Sequence, residues 1–169
     1  MKLLVVSDSH GLKEELKKIK ALYIDQVDAM FHCGDSELHS NDEAIDGFLT
    51  VRGNCDNEKQ FPLEIINTIG ERTILVTHGH LYHVKKSLLN LTYRAEEKAA
   101  DFVFFGHSHR LGAEKIGQTI FLNPGSIFLP RMYTEKSYAI IEIDNEVVTV
   151  YFYNDHHEEI EKFRRTFTL

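Results

Sequence analysis

Lys2-Leu3-Leu4-Val5-Val6-Ser7-Asp8-Ser9-His10-Gly11 opens the chain and decides its fold class. Four consecutive apolar residues, two of them β-branched, predict a strand buried on both faces. The run stops at a carboxylate and an imidazole two positions apart, where the strand ends. Ligands of open α/β sheets bind beyond the carboxyl ends of the strands. Alone, Asp8-x-His10 reads more readily as a helix cap. Its weight comes from repetition further along the chain.

Working outward, Leu12, Leu16, Ile19 and Tyr23 recur at helical spacing, and Glu14 precedes Lys18 by four positions. Asp28 to His32 predicts a second strand, ending at Cys33-Gly34-Asp35-Ser36-Glu37. A short helical pattern covers Asn41 to Phe48, and a third strand, Leu49 to Arg52, ends at Gly53-Asn54-Cys55-Asp56. This βαβαβ opening implies parallel strands with right-handed crossovers. Leu63 to Ile69 and Thr73 to Thr77 flank Gly70-Glu71-Arg72 as a hairpin, and His78-Gly79-His80 follows. A helix is expected over Lys85 to Ala100. Phe102 to Phe105 is a buried strand ending at Gly106-His107-Ser108-His109. Thereafter strands alternate with breaks at Gly117-Gln118, Asn123-Pro124-Gly125-Ser126 and Asp144-Asn145, with a last hairpin over Ser137 to Ile143 and Glu146 to Tyr153. The charged tail, Asn154 to Leu169, is open between helix, strand and frayed chain. We expect one mixed α/β domain over 1–169.

The totals agree. The chain of 169 residues is 43% hydrophobic and 27% charged, which suits a folded globular domain. A net charge of -7 disfavours a nucleic-acid or anionic-membrane surface, but not a small phosphate ester met by local cations. No apolar run approaches the ~18 residues of a membrane span, and Ser7 to His10 break any signal-peptide order. Two cysteines suggest free thiols in a reducing compartment, so a cytoplasmic location is expected. Oligomeric state is not legible.

Five strand ends thus carry polar side chains of the same kinds: Asp8 and His10, Asp35, Asn54, His78, then His107 and His109. Imidazole with carboxylate suits Zn, Mn, Fe or Ni, and the lack of a Cys cluster argues against structural zinc. Seven ligands suit two metals sharing a carboxylate. Of the other histidines, His32 is read as packing in its strand. His39, His83, His156 and His157 are read as surface residues.

In this order and spacing, Asp8-x-His10, Gly34-Asp35, Gly53-Asn54-Cys55-Asp56, His78 and Gly106-His107-x-His109 resemble the calcineurin-like metallophosphoesterases. The size and Asn123-Pro124-Gly125-Ser126 resemble its small bacterial and archaeal phosphodiesterase branch. The resemblance spans residues 2 to 153 and implies a four-layer α/β/β/α sandwich of two mixed sheets flanked by helices. It implies a first metal on Asp8, His10 and His109, a second on Asn54, His78 and His107, and Asp35 bridging them. The ions would be divalent transition metals, manganese first, with nickel, iron and zinc as alternatives. A metal-bridging hydroxide would attack phosphorus in line, and a phosphodiester would meet a site of about +1.

Where many relatives have His, this chain has Cys55, a poor substitute as phosphate ligand or acid. Catalysis would then rest on the metals and favour good leaving groups. Asp56 would orient a neighbouring group. His80 would lie near the phosphate or support a ligand, and Arg131 would reach the pocket or pair at the surface. Cys33 is read as buried packing, and Glu37, where larger relatives have Asp, as a minor change. The expected substrate is a small phosphate ester, a nucleotide among the options. A phosphomonoesterase and a non-catalytic scaffold, like the retromer subunit of the same fold, are the alternatives. All seven ligands are present here, and a scaffold would not need them.

Overall fold

The computed structural model describes residues 1–132 and 134–169. Strand β1 (Lys2–Val6) pairs in parallel with β2 (Ala29–His32), and β2 with β3 (Phe48–Thr50). On the other side of β1 lie β9 (Tyr138–Asp144), β10 (Val147–Tyr153) and β11 (Arg165–Thr168), each antiparallel to its neighbour. The order of this six-stranded sheet is β11-β10-β9-β1-β2-β3. The second sheet has five strands: β4 (Glu64–Ile69), β5 (Arg72–Thr77), β6 (Phe102–Phe104), β8 (Thr119–Asn123) and β7 (Gly112–Ile116), in that spatial order. Its centre, β5-β6-β8, is parallel.

Alternation along β1 builds the layers. Leu3 and Val5 enter a core between the sheets with Phe31, Ile74, Val76, Phe104 and Leu122. Leu4 and Val6 point the other way, onto Leu16 and Ile19 of α1 (Lys13–Tyr23). On the far side, Leu75, Val103 and Phe121 receive Leu91 and Ala95 of α2 (Leu89–Glu97). Helix, sheet, sheet, helix is the expected four-layer sandwich. Because both sheets have parallel centres, β1, β2, β3, β5 and β6 all deliver their carboxyl ends to the ligand-bearing loops.

Two elements differ from the sequence expectation, and one that it left open is resolved. Asn41 to Phe48 is not a helix. Asp42 caps one turn by accepting from the Ala44 N–H at 3.0 Å, Gly47 at φ +85° ends it, and Phe48 enters β3. The second helix begins at Leu89, whose N–H donates to Ser87 Oγ at 3.1 Å, and ends before Ala99 turns left-handed at φ +47°. Lys85 to Ser87 are therefore outside it. The tail resolves into a short 3-10 turn, Glu161–Phe163, and the edge strand β11. No helix among the described residues is long and apolar enough to cross a membrane.

Candidate metal centre

The backbone around the ligands is held in a conformation that side-chained residues rarely adopt. Asp8, His10, Asp35, His107 and His109 all have φ between 43° and 65°. Such strain persists only where the surroundings over-determine it, and it concentrates at functional sites. Two glycines show how tightly the loops meet. A Cβ on Gly53 would lie 2.1 Å from Asp35 Oδ1, and one on Gly106 would lie 2.0 Å from Ser7 Oγ.

The loops converge into two clusters. Asp8, His10 and His109 bring one ligand atom each within 4.8 Å of one another, and so do Asp35, His78 and His107. Asp35 also falls in a third group with His10 and Cys55, which places its carboxylate between the two clusters. Asn54 is exposed on the loop after β3, with its Nδ2 on Cys55 Sγ at 3.2 Å.

Hydrogen bonds fix which ring nitrogen each histidine offers. His78 Nδ1 donates to Cys33 O at 2.7 Å, and His109 Nδ1 donates to Leu129 O at 2.6 Å. Nε2 of each is then the free lone pair. It faces a carboxylate oxygen: Asp35 Oδ2 at 3.2 Å from His78, and Asp8 Oδ1 at 3.0 Å from His109. Among the described residues neither Asp8 Oδ1 nor His78 Nε2 has a hydrogen-bond partner, although both are buried. A lone pair held against a carboxylate needs a cation or a proton between them. The donor set therefore fits divalent metal ions. His10 Nδ1 lies 2.6 Å from Glu37 Oε1, the carboxylate–imidazole support typical of metal-binding histidines.

The electrostatics follow. Burial pushes the Asp35 carboxyl upward, but His78 and the Cys55 N–H outweigh it and hold it well below the usual carboxylate range. Burial likewise lowers His78 and His109, and the facing carboxylates, Asp35 for the first and Asp8 for both, reverse the sign and raise both. His107 is pushed down to about 4 by burial, His78 and Lys85. Burial, then Asp35, pushes the Cys55 thiol up to about 11, so it is neutral at physiological pH. His80 is lowered by burial and sits with its ring centroid 5.4 Å from that of His78 and 6.1 Å from that of His107.

Asp56 spends its carboxylate on the two neighbouring loops. Its two oxygens accept from the N–H groups of Asp35, Gly53 and Glu37 and from Ser36 Oγ, at 2.6 to 3.1 Å. It fastens the loop after β2 to the loop after β3. Arg131 is exposed, and its backbone N–H donates to His109 O at 3.0 Å. His39, His83 and His156 are exposed, and Cys33 is buried. His157 is half-buried against Tyr138, whose hydroxyl lies 3.1 Å from its Nδ1.

Sequence reasoning missed several participants. Ser126 Oγ donates to Asp8 O at 2.8 Å and accepts from the Phe128 and Leu129 N–H groups, which sets the loop that carries Leu129 O. Phe128 packs its ring 5.3 Å from that of His10. Asn123-Pro124-Gly125-Ser126 was visible as a break, but nothing local pointed to Asp8.

Comparison with known proteins now adds to this geometry. The sequence profile described as the calcineurin-like phosphoesterase superfamily domain matches residues 1–146. Probable metallophosphoesterase YsnB of Bacillus subtilis is 48% identical over 169 residues, which is 100% of both chains. Phosphodiesterase YfcE of Escherichia coli K12 is 27% identical, over 92% of this chain and 94% of YfcE. A solved Streptococcus pneumoniae protein, described as a predicted phosphoesterase, superposes with a TM-score of 0.96 at 36% identity, over 99% of this chain and 97% of that one. Vps29 of Entamoeba histolytica, solved with zinc, shares the fold at a TM-score of 0.75 and 20% identity, covering 100% of this chain and 98% of that one. Two carboxylate–imidazole gaps that ask for cations agree with the match along the sequence: the chain belongs to the calcineurin-like phosphoesterase superfamily, in its small bacterial and archaeal branch of metal-dependent phosphoester hydrolases.

Proposed function

We propose that the protein is a dinuclear-metal phosphodiesterase, carried on one domain over 1–169, that directs water in line onto the phosphorus of a small diester. The observation that carries this reading is the pair of matched gaps, Asp8 to His109 and Asp35 to His78. Asp8, His10 and His109 would hold one ion, and His78, His107 and Asn54 the other, with Asp35 shared. When bound, two divalent cations, manganese in our reading, would supply Lewis-acid stabilisation of the phosphoryl oxygens and acidify water. The chain's own residues do the rest. Glu37, Cys33 O and Leu129 O hold the imidazoles in their tautomers. Lys85, near enough for its charge to help lower His107 and to oppose the rise of His109, adds positive charge for an anionic ester. The neutral thiol of Cys55 keeps its proton tightly and is a weak general acid for a leaving group, which favours aryl and other acidic leaving groups. Phe128 and Leu129, exposed beside His10 and His109, offer apolar surface to an aromatic or nucleoside portion.

The test is hydrolysis of an aryl phosphodiester and its monoester by metal-stripped protein, with Mn²⁺, Ni²⁺, Zn²⁺ and Mg²⁺ restored in turn and His109→Ala as control. Metal-dependent diester cleavage, absent from the variant, is expected. Faster monoester cleavage would make it a phosphomonoesterase. Stoichiometric metal without cleavage of any ester would point to a non-catalytic binding protein.

A further inference from the structure

His32 is fully buried, yet no step proposed above uses it. It lies two positions from Met30 on β2, on the face that packs against α1, where an aliphatic side chain would ordinarily serve. Both of its ring nitrogens are engaged. The Gly34 N–H donates to Nδ1 at 3.2 Å, so Nδ1 carries no proton and the hydrogen is on Nε2. Nε2 lies 2.9 Å from Ser9 Oγ and donates to it. Burial holds the ring neutral, its pKa down at about 4.

The two ends of this bridge are not arbitrary. Ser9 stands between Asp8 at φ 53° and His10 at φ 43°, and Gly34 at φ 91° directly precedes Asp35 at φ 53°. The same two loops also meet through backbone bonds, Asp8 N to Gly34 O, His10 N to Asp35 O and Gly11 N to Ser36 O, at 2.9 to 3.0 Å. Those bonds fix which residues lie side by side. The peptide unit after Ser9 is held through the His10 N–H on Asp35 O, and the one before it through Asp8 O, which accepts from Ser126 Oγ. The Ser9 side chain is a further handle on this loop, and His32 grips it from the β2 side.

We infer that His32 is a positioning residue that straps the Asp8-Ser9-His10 loop to the Gly34-Asp35 loop and so sets the spacing between the two metal-ligand clusters. This rests on the metal-dependent reading above. The imidazole does it where leucine would not, because it presents one acceptor and one donor about a ring's width apart, each already aimed at one loop.

Three variants separate the parts of the strap. His32→Leu removes both bonds. His32→Asn keeps an acceptor for the Gly34 N–H but is too short to reach Ser9, and Ser9→Ala removes the other partner of that same bond. Calorimetric titration with Mn²⁺ is expected to show two equivalents in the parent. In His32→Leu at least one equivalent should weaken by about 10- to 100-fold, the range for lost support of a metal ligand. Ser9→Ala and His32→Asn should each weaken it less. The double variant should be no worse than either single one, because both remove one bond. Electron paramagnetic resonance of the Mn²⁺-loaded variants should show loss of the spin-coupled pair. Metal-free melting of Ser9→Ala and His32→Asn should stay close to the parent. If both bind two equivalents within twofold of the parent and keep the coupled signal, the inference is overturned while the metal-dependent reading stands. Affinity that falls only in step with metal-free melting also overturns it, as ordinary core packing. A parent that takes up no Mn²⁺ removes both readings. Should His32→Leu fail to fold, the other two variants decide alone.

Discussion

Asp35 Oδ2 and His78 Nε2 lie 3.2 Å apart with no proton assigned between them, because the imidazole hydrogen is already committed to Cys33 O. Asp8 and His109 repeat the relation at 3.0 Å, with Leu129 O in the place of Cys33 O. Two cations would close both gaps. Bound to the native state alone, they would stabilise it by about 2.7 kcal/mol per site at a free concentration of 100 Kd. One site would then raise the melting temperature by roughly 5–10 °C. Calorimetry with EDTA and then with Mn²⁺ should show a rise of at least this size. His78→Ala should lose most of it, and equal melting with and without metal in the parent would contradict the site.

Without metal, the same histidines oppose one another across the pH scale. His32 and His107 are held down to about 4, burial first among the causes. An unfolded chain, with imidazoles near ~6.5, binds protons in this interval that the native state refuses. Their contribution is present above ~6.5 and is lost as pH falls toward 4. His78 and His109 are raised, because the facing carboxylates overcome burial. Their contribution is complete below ~6.5 and is lost as pH rises through the native values. Melting in EDTA should therefore peak near pH ~6.5. His107→Asn should flatten the acid side between about pH 6.5 and 5, and an unchanged acid side would contradict the assignment.

Cys55 offers a direct test of the missing acid. Its thiol, held at about 11, stays neutral across the working range, so Cys55→Ser should leave aryl diester hydrolysis within about threefold. Cys55→His places a titratable imidazole beside Asp35, and general acid catalysis contributes 10²–10⁴-fold where it operates. Hydrolysis of an alkyl diester should rise by at least about 10-fold, with little change for the aryl diester. Comparing the two substrates in parent and variant checks it.

Asp56 anchors three backbone N–H groups and one hydroxyl. Bonds to a charged acceptor are worth about 1.5–3 kcal/mol each, though not additively. Asp56→Ala should cost about 2–4 kcal/mol in urea unfolding and should also weaken metal binding. Loss of turnover with stability and metal affinity both intact would mean that Asp56 touches substrate after all.

The architecture and the ligand types were legible because both are local. Leu3 to Val6 alternate between two cores, and a strand's end is marked by the residues that follow it. The family resemblance then supplied the second sheet's place opposite the first. Contacts that support the ligands were not legible, because they join residues far apart in sequence. Glu37 meets His10 across 27 positions, and Ser126 meets Asp8 across 118. The spurious helix over Asn41 to Phe48 failed on Gly47, a stop signal that periodicity alone does not weigh. Ser87 similarly marked the true start of α2.

Each cluster draws on both halves of the sandwich. Asp8 and His10 follow β1 and Asp35 follows β2, whereas His78, His107 and His109 follow β5 and β6. The ions would thus rivet one sheet to the other along a single edge, closing a chain loop that runs from residue 8 to residue 109. A denatured chain holds no such pocket, and neither sheet assembles it alone. Metal capture during refolding should consequently lag behind strand formation and coincide with docking of the two sheets. A stopped-flow trace of Mn²⁺ uptake would then time the last step of folding, when this edge is sealed.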